Sequence, residues 1–114
     1  TGWENLAIKG KLPGAFYDEN TIRIMADHLG IEALLSKKCG AMSFGERQRL
    51  AIIRSLLMPA DFLIMDEPFS HLDENNSFKA LELINSESTK NQSAVVITSL
   101  GSSYDWEFDR NIHL

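Results

Sequence analysis

MSFGERQRLAIIRSLLMPADFLIMDEPFSHLD, residues 42–73, is the stretch on which the reading of this chain turns. At its centre a short, uniformly apolar run, Phe62 to Met65, ends in two adjacent carboxylates, Asp66 and Glu67. Such a run suits a strand covered on both faces, and hence a parallel sheet. Parallel α/β sheets bind their ligands beyond the C-terminal ends of their strands, where these two carboxylates fall. An acidic residue there can also do no more than cap the next turn, so the neighbours decide. Upstream, Ser43-Phe44-Gly45-Glu46 opens a helix that carries Arg47, Gln48 and Arg49, places Leu50, Ile53 and Leu57 on one face, and ends at Pro59. Ser43 and Glu46 have the spacing of a capping box, which stabilises a helix start with no ligand at all. Downstream, Pro68 leads into the turn Ser70-His71-Leu72-Asp73, and Asp73 starts a helix with Phe78, Leu81 and Ile84 inside.

Outward from that stretch, the spacing of Ile22, Met25, Ala26 and Leu29 predicts an amphipathic helix over Asp18 to Leu29, closed by Gly30. Ile31 to Leu35 reads as a short second helix and Ser36 to Gly40 as a polar loop. Towards the C-terminus, Ser86 to Gln92 reads as a loop and Ala94 to Thr98 as a β-branched buried strand, with Asn111 to Leu114 one further short strand. The fold class is therefore α/β: a helical first third, then parallel strands joined by a crossover helix, expected to be right-handed. No internal repeat or linker composition interrupts it.

Composition narrows the function. A chain of 114 residues is one domain or part of one, and 44% hydrophobic with 24% charged residues is ordinary for a folded protein. The formal charge of −5 provides no basic stripe for a phosphate backbone, so a nucleic-acid partner is not expected. Cys39 is alone and reads as a half-buried filler; a reducing compartment suits it. His28, His71 and His113 join no other ligand at metal-binding spacing and read as surface or packing residues. The longest apolar run, Leu50 to Met58, is broken by Arg54 and Ser55 and is too short for a membrane span, and the N-terminus lacks the apolar core of a signal peptide.

Taken in order, these motifs resemble the nucleotide-binding domain of ATP-binding cassette (ABC) ATPases, most closely an ABC transporter ATP-binding protein. MSFGE is similar to the family's signature LSGGQ, RQRLAIIRSL to the helix that follows it, FLIMDEP to the Walker B strand of this P-loop NTPase fold, and SHLD to the D-loop. TGWENL, residues 1–6, resembles the segment after the Q-loop, and VVITS, residues 95–99, the strand leading to the switch histidine. The resemblance implies a helical subdomain over residues 1–42, then signature helix, Walker B strand, D-loop and switch strand over residues 43–114. It also implies roles. Asp66 matches the carboxylate that helps hold Mg²⁺ beneath the phosphates of ATP, and Glu67 the residue that positions or deprotonates the attacking water. Ser43, Phe44, Gly45 and Glu46 match the signature, whose helix N-terminus receives the γ-phosphate of a nucleotide held by an opposing domain. Asp73 matches the aspartate that links the two sites of such a dimer.

The sequence departs from the pattern in four places. No Gly-x-x-x-x-Gly-Lys-Ser/Thr occurs in it, because Gly10-Lys11 is followed by Leu12 and has Asn5 where the first glycine belongs. The chain is therefore expected to be the second half of a nucleotide-binding domain, with the P-loop, its lysine and the Q-loop before Thr1, and to be inactive alone. Phe44 replaces a glycine that lets backbone approach phosphate, Glu46 stands where glutamine is commoner, and Ser99 stands where the switch histidine would be. These three imply a degenerate site. The short helical segment before Met42, with no heptad run, favours a transporter ATPase, which implies a membrane permease subunit and a second nucleotide-binding domain as partners at the cytoplasmic face of the cell membrane. The alternatives are a ribosome-binding ABC protein of the translation-factor type, towards which HLD and Glu46 lean, and a non-catalytic interaction remnant. Strand edges left without the other half are expected to drive self-association.

Overall fold

The computed structural model describes residues 1–14, 18–100, 108–110 and 112. Among these residues four helices and two strands follow in the order α1 (Gly2–Gly10), α2 (Glu19–His28), α3 (Phe44–Leu56), β1 (Phe62–Asp66), α4 (Glu74–Asn91) and β2 (Ala94–Thr98), with 3₁₀ turns at Glu32–Leu34 and Cys39–Ala41 between α2 and α3. The strands pair in parallel, in the register Phe62↔Ala94 to Asp66↔Thr98, with α4 as their connection. Backbone bonds from the Gly2 amide to the Lys37 oxygen (3.1 Å) and from the Trp3 amide to the Leu35 oxygen (2.9 Å) fasten α1 to the segment that precedes α3.

Local chemistry sets the helix ends. Asp18 caps α2 by accepting from the Thr21 amide (3.2 Å) and hydroxyl (2.6 Å). Ile22, Met25 and Ala26 form its buried stripe. At the far end the Ile31 amide donates to the Ala26 oxygen (2.8 Å) and the Gly30 amide to the Asp27 oxygen (3.0 Å), a Schellman closure that needs the positive φ of 74° at Gly30. Helix α3 buries Leu50, Ile52, Ile53 and Leu56 and hands over to buried Leu57. These residues meet Leu6, Ile22, Leu29, Ile31 and Leu35 in one core, against which Cys39 is half-buried as expected.

The structure corrects several of these expectations. The short helix at Ile31–Leu35 is a single 3₁₀ turn, and the loop Ser36–Gly40 runs into a second one, Cys39–Ala41. Ser86 to Gln92 is not a loop: α4 runs through it to Asn91, because the inward stripe Ser77, Leu81, Ile84 continues to the buried Ser88. The helix stops where Gln92 adopts a left-handed conformation (φ 56°) and the Ser93 amide reaches back to the Ser88 oxygen (2.8 Å), a closure made without the glycine that would have marked it in the sequence. Phe78 lies off that stripe and is 49% exposed. Finally, among the described residues neither strand is covered on both faces: Ala94 to Thr98 is a strand but not a buried one, its residues alternating between exposed and half-buried, and β1 is covered on one face only. Leu63 and Met65 point into the core, whereas Phe62 and Ile64 are 68% and 75% exposed on the other side. The strand expected at Asn111 to Leu114 lies outside the described residues, Ile112 excepted.

Candidate functional site

The C-terminal ends of the two strands gather the acidic pair. Asp66, the last residue of β1, pairs in register with Thr98, the last of β2, and the Thr98 hydroxyl donates to Asp66 Oδ1. The chain then turns sharply: Glu67 has a φ of 47°, a left-handed conformation that costs a residue with a Cβ on the order of 1–3 kcal/mol. Several bonds hold it there. The Glu67 amide donates to the Thr98 carbonyl (3.1 Å) and hydroxyl (3.2 Å), and the Leu100 amide donates to Glu67 Oε1. Ser99 lies between these two contact points in the chain. Pro68 and Phe69 are buried beneath the turn.

The helix that begins at Ser43 lies against the same turn. Ser43 and Glu46 form the capping box that their spacing predicts: the Ser43 hydroxyl accepts from the Glu46 amide (3.1 Å) and Glu46 Oε1 accepts from the Ser43 amide (3.3 Å). The Ser43 amide, above all, holds the Glu46 carboxyl below the usual carboxylate range. The Ser43 hydroxyl and the positive charges of Lys37 and Arg49 act in the same direction, and partial desolvation opposes them. Glu46 Oε2 is buried with no hydrogen-bond partner among the described residues. A negative charge thus already sits at the end of the helix that attracts anions. Phe44, 66% exposed, stacks on His71 (5.2 Å between ring centroids) and carries the Arg47 guanidinium 4.6 Å above its ring. Gly45 is pressed so closely on the turn that a Cβ would lie 2.7 Å from the His71 carbonyl oxygen. Asp73 caps α4 by accepting from the Asn76 amide (2.7 Å).

Reading residue types in sequence missed three contributors. Gln48 Nε2 donates to the Glu67 carbonyl (3.1 Å) and the Ser70 hydroxyl (3.1 Å), while its Oε1 accepts from the His71 amide (2.9 Å). Arg49 ties the Gly45 carbonyl (3.2 Å) to the Leu29 carbonyl (3.0 Å), joining the start of α3 to the end of α2. Thr98 holds both members of the acidic pair. Only their nearness to the two motifs hinted at these roles, since an amide, a guanidinium and a hydroxyl within regular elements carry no pattern of their own.

The acidic pair offers oxygen ligands of the kind Mg²⁺ takes, but among the described residues no group of three or more His, Cys, Asp or Glu could hold a metal ion. Mg²⁺ bound with a nucleotide is held largely by phosphate oxygens and water, with one or two protein carboxylates completing its shell. The Asp66 carboxylate, at the end of β1, has the chemistry for that part. Among the described residues no helix is long and apolar enough to cross a membrane.

Comparison with known proteins bears on the family and the fold. A family model described as "ABC transporter" matches residues 1–70. The lipoprotein-releasing system ATP-binding protein LolD 2 of Chlorobaculum tepidum is 32% identical over 100% of this chain and 47% of its own length. Among solved structures, a putative ABC transporter ATP-binding protein from Pyrococcus furiosus aligns with 91% of this chain and 52% of its own at a TM-score of 0.75; at 23% identity that likeness shows the fold alone. The archaeal ribosome recycling factor aABCE1, solved with the ribosomal stalk protein aP1, is 28% identical over 84% of this chain and 17% of its own, with a TM-score of 0.69. The chain spans about half the length of the curated relatives that it matches from end to end.

Proposed function

The chain belongs to the ABC transporter family of ATP-binding proteins, and from that premise we propose that it forms the hydrolytic half of the nucleotide-binding domain of a transporter ATPase. The observation that carries the proposal is the convergence of Asp66, Glu67 and the N-terminus of α3 on one turn at the C-terminal edge of a parallel sheet. Glu67 orients the attacking water and takes up its proton, and Asp66 supplies a carboxylate to the ion bound with the nucleotide. Magnesium there offsets the negative charge that develops during phosphoryl transfer. Ser43 presents the N-terminus of α3 to the γ-phosphate of a nucleotide on a second nucleotide-binding domain, and Asp73 connects the two sites. ATP binding itself needs the phosphate-cradling loop, which these 114 residues do not contain.

Both sites to which the chain contributes, its own and that of the opposing domain, turn over slowly on this reading. Ser99 is too short to span the distance that a histidine covers to a γ-phosphate, the Phe44 ring occupies space that a glycine leaves open, and Glu46 opposes an incoming anion. The partners are a membrane permease subunit and a second nucleotide-binding domain, and the site of action is the cytoplasmic face of the membrane. Joining the chain to the P-loop half of a relative tests the assignment. Mg²⁺-dependent ATP binding should appear in the joined domain and weaken in Asp66→Asn, while the chain alone binds no ATP tightly. Tight ATP binding by the chain alone, or binding indifferent to Asp66 and Mg²⁺, overturns it.

The likeness to the ribosome recycling factor supports a second reading, a ribosome-associated ABC protein. Co-sedimentation with ribosomes, set against recovery with membranes that carry a permease, separates the two.

A further inference from the structure

Glu67 is held in its left-handed conformation from two sides. Thr98, on the neighbouring strand, takes the Glu67 amide. On the other side the Glu67 carbonyl accepts a long bond from the Ser70 amide (3.4 Å) and a shorter one from a side chain: Gln48 donates from Nε2 to the Glu67 carbonyl and the Ser70 hydroxyl, and accepts at Oε1 from the His71 amide. Its amide group thus spans both ends of the turn 67–71. Gln48 lies one turn into α3, the helix capped by Ser43, and is half-buried there. Gly45, on the same helix, leaves no room between its Cα and the His71 carbonyl. A helix fastened to a turn at Gln48 and packed against it at Gly45 cannot shift without moving that turn.

We propose that Gln48 is the positioning residue of this site: its amide group locks the turn that carries Glu67 to α3, so that the carboxylate and the helix N-terminus at Ser43 keep one fixed geometry. The proposal rests on the role given to Glu67 under the proposed function. It assigns Gln48 no contact with nucleotide or water. The two ends of the side chain have separable duties. Nε2 fixes the backbone of Glu67, and hence the direction of its carboxylate; Oε1 fixes His71.

Two variants divide those duties. Gln48→Leu removes donor and acceptor together. Gln48→Glu keeps an acceptor for the His71 amide but has no hydrogen to donate to the Glu67 carbonyl. Amide exchange in the full chain, followed at His71 with Ile53 in the core of α3 as reference, should be at least tenfold faster at His71 in Gln48→Leu and close to wild type in Gln48→Glu, with Ile53 unchanged in both. In the domain joined to a P-loop half, both variants should lose tenfold or more in kcat while KM for ATP stays within twofold. Protection of His71 that survives in Gln48→Leu overturns the clamp. So does a Gln48→Leu kcat within twofold of wild type when hydrolysis depends on Glu67, and wild-type kcat in Gln48→Glu overturns the division of duties. Hydrolysis that does not depend on Glu67 would refute the proposed function instead, and the exchange measurement would still decide the clamp.

Discussion

Substituting the glycine at the start of α3 tests how tightly that helix is pressed on the acidic turn. Gly45 is a helical residue, and replacing glycine by alanine within a helix ordinarily stabilises by about 0.5–1 kcal/mol, because glycine loses more backbone freedom on folding. Here the added methyl would lie 2.7 Å from the His71 carbonyl oxygen and 3.5 Å from Leu72 Cδ2. The first of these neighbours is backbone, fixed through the His71 amide to Gln48, so it cannot swing aside. Relieving an overpacked contact of this kind typically costs about 1–3 kcal/mol, which outweighs the propensity gain. Gly45→Ala should therefore destabilise by about 1 kcal/mol. Gly40 supplies the control: a Cβ there meets nothing within 4 Å, so Gly40→Ala should be neutral or stabilise by up to about 1 kcal/mol through the unfolded chain. Urea unfolding of the two variants beside wild type measures the difference. A Gly45→Ala chain as stable as Gly40→Ala would refute the close packing of α3 on residue 71.

Other expectations follow from the same contacts. The Glu46 carboxyl is held below its ordinary range by the Ser43 amide, so its share of folding stability is complete above that range and fades as pH falls through the lowered value. Glu46→Gln keeps the capping bond and should flatten acid-side stability in urea titrations run at successive pH values; an unchanged slope would count against the capping box. In the domain joined to a P-loop half, Ser99→His should raise steady-state turnover by a sizeable part of the roughly 10²–10³-fold that one preorganised polar contact typically supplies. Equal rates for wild type and Ser99→His would remove the case for a degenerate site. The outer face of the sheet, with Phe62, Ile64 and Val96 exposed, should make the chain self-associate, and Ile64→Lys should reduce the mass measured by light scattering at high concentration. A chain that is monomeric throughout would contradict this.

The parts of the fold with local chemical causes were legible in the sequence. Asp18, Gly30, Ser43 with Glu46, and Asp73 each mark a helix end through a bond that their own side chain or backbone makes, and the structure has all four ends where those residues put them. The end of α4 was not legible, because Gln92 adopts a left-handed conformation without being the residue type that announces one. Uniform hydrophobicity from Phe62 to Met65 identified the strand but not its surroundings: a run that is apolar on both faces asks for two covers, and the described residues provide one. At the site, the motifs located the carboxylates and the helix start. The bonds that join them, from Gln48, Arg49 and Thr98, depend on how α3 and β2 pack around the turn at Glu67, and packing between distant segments leaves no spacing to read.

The central claim is that Glu67 activates water in an ABC-type ATPase site that this chain completes. Phosphate release by the domain joined to a P-loop half, measured for wild type and for Glu67→Gln at saturating Mg²⁺-ATP, tests it most directly. The account predicts slow but measurable turnover in wild type and a loss of about 10²-fold or more in Glu67→Gln, with ATP binding retained. Glu67→Gln turning over at the wild-type rate would contradict it.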